Sequence, residues 1–179
     1  MSAVRPHPPR TSALALALAA LLAFALGGCG SGHSTTTSGP TRAQYVARAN
    51  AICEAVRAKT TPLISELQSS VAGILTGEKT AETRDATVVA QLHTYASQSL
   101  AQLEALPQPA ADHAAIERFL TPLEAVVTAI GHAHTSLVTG QAAQAVATVT
   151  QIQPTAQAVT SAAHAYGLTE CASVLGALG

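Results

Sequence analysis

The sequence contains no tryptophan, two phenylalanines, three tyrosines and one methionine in 179 residues. A core that lacks large aromatic anchors has to be assembled from Ala, Leu, Val and Ile. Such a composition points away from a β-sandwich and towards helices, because alanine is the best helix former and a poor strand residue. Charge is also scarce: 11% of residues, with nine basic side chains against ten acidic ones. No basic face is available, which excludes nucleic acid as a partner. Motifs of chemistry are missing as well. There is no Cys-x-x-Cys-His for covalent haem, no His-x-x-x-His or Glu-x-x-His pair to build a metal site in a bundle, and no Gly-x-Ser-x-Gly elbow or phosphate-cradling glycine loop. No cofactor and no metal ligand are therefore expected, no catalytic residue is assigned, and the chain reads as a non-enzyme.

The N-terminus, by contrast, is rich in signal. Arg5 and Arg10 form a basic start, an apolar run follows from Ala13 to Leu26, and small residues come next. This order is that of an export signal, and the run is shorter than the roughly 20 residues that span a bilayer. Leu26-Gly27-Gly28-Cys29 resembles the lipobox of bacterial lipoproteins. The resemblance implies diacylglyceryl transfer to the Cys29 sulfur and cleavage between Gly28 and Cys29, so that residues 1–28 are removed. Acyl chains on Cys29 then hold the protein on the extracytoplasmic face of the cell membrane. Residues 29–40, with the run Gly-Ser-Gly-His-Ser-Thr-Thr-Thr-Ser-Gly-Pro after Cys29, offer nothing apolar to bury and read as a flexible tether. His33 within it is a solvated side chain.

Residues 41–179 carry helical periodicity in four segments. Thr41 to Gln44 fits a capping box, and Tyr45, Ile52, Val56, Leu63, Leu67, Val71 and Ile74 then recur at helical spacing up to Thr76-Gly77. Pro62 implies a kink or a break in that first helix. The second runs from about Ala81 to Leu106, with Val89, Leu92, Ala96, Leu100 and Leu103 on one face, and stops at Pro107 and Pro109. Asp112 reads as the N-cap of the third, whose stripe is Ile116, Leu120, Leu123, Val127, Ile130, His134 and Leu137. The fourth spans about Gln141 to Tyr166, with Val146, Val149, Ala156, Val159 and Ala163 facing inward and Gly167 suited to the left-handed position past its end. Short connections make successive helices antiparallel, so the expected fold is all-α: an up-down-up-down four-helix bundle.

Tyr45-Val46-Ala47 through Ala51-Ile52-Cys53, Leu106-Pro107-Gln108-Pro109, and Ala165-Tyr166-Gly167 through Cys171 together resemble a group of small lipoproteins of high-GC actinobacteria. These share a lipobox, a polar tether and a helical domain with two cysteines. The resemblance implies location and fold and brings no established activity.

With Cys29 consumed by lipid, Cys53 and Cys171 are left as an even pair in an oxidising compartment, which is what a disulfide requires. The start of the first helix and the tail after the fourth fall at one end of the expected bundle. Two reduced, buried thiols are the competing reading. The five histidines of the helical segments give no metal site: His132 and His134 point to different faces of one helix, His134 alone lies on a core stripe, and His93, His113 and His164 sit singly. Two binding roles follow, one for an envelope protein at the bundle surface and one for a small apolar ligand in its interior. A weaker third, a hydrolase of scattered His and Glu residues, requires them to converge in one cleft. Prolines 62, 122 and 154 lie inside helical segments, where they either splay the bundle around a pocket or bend helices about an Ala-lined core.

Overall fold

The computed structural model describes residues 39–75 and 79–176, without the side chains of 71–75. The expected signal sequence, Cys29, the expected tether as far as Ser38, and Thr76-Gly77 lie outside these residues. Within them the protein is all-helical: α1 (Arg42–Leu75), α2 (Lys79–Glu104), α3 (His113–Val138), α4 (Ala142–Tyr166) and α5 (Thr169–Gly176), with a 3₁₀ turn at Ala110–Asp112 ahead of α3. All the described residues fall in one compact unit.

The helix ends follow local chemistry. Thr41 N–H donates to Gln44 Oε1 at 2.9 Å while Gln44 N–H donates to Thr41 Oγ1 at 3.3 Å, so two orphan donors of α1 are satisfied reciprocally. Gly167 (φ 95°) lets Leu168 N–H return to Ala163 O at 2.8 Å, and Gly140 (φ 70°) does the same for Gln141 N–H and Ser136 O at 2.8 Å. The expected cap at Asp112 is different. Its side chain makes no capping bond to α3 and instead accepts the Tyr166 hydroxyl at 2.8 Å, drawn towards the end of α4.

Pro62 does not break α1, which is continuous from Arg42 to Leu75. Pro62 and Ala58, whose carbonyl loses its helical donor, are both exposed, which leaves that carbonyl open to solvent. Many hydroxyls on the helices turn back onto the preceding turn, as Thr61 does to Arg57 O at 2.8 Å and Thr148 to Gln144 O at 2.9 Å.

Neighbours in sequence are neighbours in space: α1 packs on α2, α2 on α3, and α3 on α4. α5 was not expected, the residues after Gly167 having been read as a tail. It buries Cys171, Ala172 and Leu175 between α4 and α1, two helices that otherwise barely touch. The Cys53–Cys171 disulfide joins α1 to α5 with 4.9 Å between the Cα atoms, inside the usual range. Asn50 helps seat α5: its Nδ2 donates to Gly167 O at 3.3 Å and its Oδ1 accepts Glu170 N–H at 3.1 Å.

On α4 the inward face differs from the expected stripe. Val146 and Val149 are 42% and 48% exposed, whereas Ala145 is buried. Val159 and Ala163, wholly buried in the cluster around the disulfide, set the rotation of the helix. Stepping back at about 3.6 residues per turn from Val159 reaches Ile152 and Ala145 and leaves Val149 and Val146 to one side. On α3 the same effect buries Ala133 and leaves His134 half-exposed.

Candidate functional site: an apolar cavity between two cores

The buried side chains divide into two clusters. One gathers around the disulfide and includes Tyr45, Leu103, Phe119, Val159 and Leu168. The other, at Ala86, Val89, Ala133, Leu137 and Ala145, is made of smaller residues. Between them lies a cavity of about 210 Å³, with walls from all five helices.

Its origin is in the composition. Ala96 of α2, Ala129 and Ala133 of α3, and Ala156 of α4 all face it, where larger aliphatic side chains would have met across the axis. Helix axes stay some 8–10 Å apart, so alanines on several helices at one level leave space that the backbones do not close. The lining is aliphatic, with Phe119 and the disulfide at one end. Its polar members, Thr60, Ser99 and Gln153, are uncharged. At about 24 cal/mol per Å³ of residual void, an empty space of this size costs about 5 kcal/mol, a large share of the 5–15 kcal/mol that holds a domain together. Apolar contents offset that cost, and water does so poorly, because it needs two to four polar partners.

The cavity reaches the surface beside α4. Val149 and Gln153 line it and are also exposed. Here α4 and α1 are apart, and α5 closes the seam only above this level. α4 itself has no Asp, Glu, Lys or Arg in its 25 residues.

The disulfide end is the most strongly tied part of the protein. The Arg42 guanidinium lies 4.4 Å from the Tyr166 ring centroid and donates to the Tyr166 carbonyl at 2.9 Å. Tyr45 meets Tyr166 edge to face at 6.0 Å. Burial, the hydrogen bond to Asp112 and the Asp112 charge together push the Tyr166 hydroxyl up to about 12. Burial and the nearby Glu117 also raise Tyr45. Arg57 pairs with Glu170 across α1 and α5 at 3.0 Å.

The histidines among the described residues do not meet. His93 packs against Gly131, His113 stands 4.0 Å from Glu117 at the surface, His132 lies in a shallow groove between α3 and α4, His134 faces one between α2 and α3, and His164 is exposed near the end of α4. Among the described residues, no three of the His, Cys, Asp or Glu side chains gather where they could hold a metal ion. Nor is any described helix long and apolar enough to cross a membrane.

One buried group escaped the sequence reading. Asp85 is wholly enclosed, its Oδ1 accepting the Ser70 hydroxyl at 2.8 Å with Arg84 Nε at 3.6 Å, while Oδ2 has no hydrogen-bond partner. A charged residue one turn before the clear stripe of α2 signals exposure in the sequence, and only the contact with α1 shows otherwise. Comparison of the chain with protein-family models, with curated proteins and with solved structures gives no match.

Proposed function

We propose that the protein is an exported lipoprotein, anchored through Cys29 on the extracytoplasmic face of the membrane, and that its helical domain is a non-enzymatic binding module whose interior takes a small apolar ligand. In this reading residues 1–28 are removed, residues 29–40 form the tether, α1 to α4 run up-down-up-down, and α5 closes one end of the seam between the first and the last. The observation that carries it is the apolar cavity of about 210 Å³ between the two cores. A packed, closed interior would have argued against it. The resemblance to small actinobacterial lipoproteins supports the anchor, as does the order of basic start, apolar run and Leu-Gly-Gly-Cys.

A second reading, docking of an envelope protein, is favoured by one observation: Val146 and Val149 stand adjacent and exposed on the uncharged α4. Native mass spectrometry of the protein extracted from its own membrane separates the two. A retained small molecule supports the cavity; a protein complex with an empty cavity supports docking. The anchor has its own test. Cys29→Ala should abolish lipid labelling and the cleavage that depends on it, and a mature-size, lipid-labelled band from that variant would refute the anchor.

A further inference from the structure

The shape of the cavity says more than its volume. Its lining runs from Cys53 to Leu67 on α1, from Val89 to Leu103 on α2 and from Phe119 to Ala133 on α3, about 21 Å of each helix at 1.5 Å per residue. A volume of about 210 Å³ drawn out along such a length is slender. A cavity of roughly 150 Å³ takes a six-carbon ring, so the space accommodates about eight carbon atoms, arranged in a line rather than in a ball.

The opening adds a second constraint. It lies on the α4 side, where the lining residues Val149 and Gln153 are exposed, and Thr60 of α1 lines the same space. The Thr60 side chain is buried, and its hydroxyl has only a long bond of 3.5 Å to Arg57 O, which leaves it free to pair with an incoming polar atom. Gln153 offers a donor and an acceptor from the exposed side. Among the described residues no charged side chain lines the space, α4 contributes none to the mouth, Arg57 is paired with Glu170 at 3.0 Å, and Lys59, next to Thr60, lies over the Tyr95 ring of α2 at 5.2 Å. An ionic head would lose water here and gain no counter-charge.

We propose that the ligand is a single-chain amphiphile with an uncharged polar head, held with about eight carbons of its unbranched tail along the cavity and its head at Thr60 and Gln153. This rests on the apolar-ligand reading above and specifies its chemistry.

The test uses the full chain, whose described residues hold both cores, the disulfide and the named walls of the cavity. Calorimetric titration with 1-hexanol, 1-octanol, 1-decanol, octanoate and cyclohexane gives the readout. Affinity should rise about fourfold per methylene from hexanol to octanol and flatten by decanol. Octanoate should bind at least tenfold more weakly than octanol. Ala156→Phe, which fills the space from α4, should remove octanol binding while raising or preserving the melting temperature, and Ala96→Leu does the same from α2 should the first variant misfold. Cyclohexane binding as tightly as octanol, or octanoate matching it, overturns the slender chain or the uncharged head and leaves an apolar-ligand site standing. Absence of binding by every compound overturns the apolar-ligand reading itself.

Discussion

The Tyr166 hydroxyl donates to Asp112 Oδ2 at 2.8 Å, and this one bond ties the end of α4 to the turn that leads into α3. Because it and burial favour the protonated phenol, Tyr166 ionises only at about 12 in the folded chain, against about 10 when unfolded. Tyr45 moves the same way. The native state therefore binds more protons than the unfolded state between pH 10 and 12, so stability is fully present below pH 10 and declines as pH rises through that window. Urea unfolding at pH 8 and at pH 11 should show the decline, and Tyr166→Phe should reduce it while lowering stability at pH 8 by about 1 kcal/mol. An unchanged pH dependence in that variant would remove Tyr166 from the explanation.

The disulfide closes a loop of 118 residues, for which chain entropy puts the stabilisation at about 4 to 5 kcal/mol. Cys53→Ser and Cys171→Ser should lose similar amounts, and the double variant little more than either, since all three remove the same cross-link. Thiol titration of the denatured, unreduced chain should find neither cysteine free. Since Cys53 and Cys171 also line the cavity, reduction should weaken octanol binding as well as lower the melting temperature.

Gly131 on α3 lies against His93 on α2. A Cβ at Gly131 would stand 2.9 Å from His93 Nε2, too close unless the imidazole moves. Replacing a helical glycine by alanine gains about 1 kcal/mol in the absence of a clash. Gly131→Ala should realise that gain fully in a His93→Ala background and only partly in the parent. The coupling from a double-mutant cycle measures the contact, and additivity within 0.3 kcal/mol would show that the imidazole yields freely.

Ser70→Ala should cost about 1–3 kcal/mol, because it strips the short hydrogen bond from a carboxylate that is already half unpartnered. Adding Asp85→Leu should recover part of the loss, as replacing both members of a buried polar pair is cheaper than orphaning one. Urea midpoints at constant m-value read both effects.

What was legible in the sequence is local or covalent. Thr41 and Gln44 announced their cap, Gly167 its left-handed turn, and Cys53 and Cys171 their pairing, because each depends on a few residues and a fixed chemistry. The inward face of α4 was not legible. Alanine and valine are scattered all round that helix, so apolar spacing selects no face, and the contacts of Val159 and Ala163 decide the rotation. α5 is eight residues long, too short for periodicity to stand out, and follows a glycine that signals an ending. Asp85 and Asp112 act across helices, with partners 15 and 54 residues away. The cavity is the least legible of all, because a void arises from alanines on different helices arriving at one level.

The Cys53–Cys171 bond also determines how the molecule carries tension. A pull applied between the two chain ends passes from α1 across the disulfide into α5, and residues 54–170 form a covalent side loop that bears none of it. The cavity has most of its wall in that loop. A domain pulled from both ends would stretch only before Cys53 and after Cys171, and of the named chamber wall only Val174 and Leu175 would feel the pull.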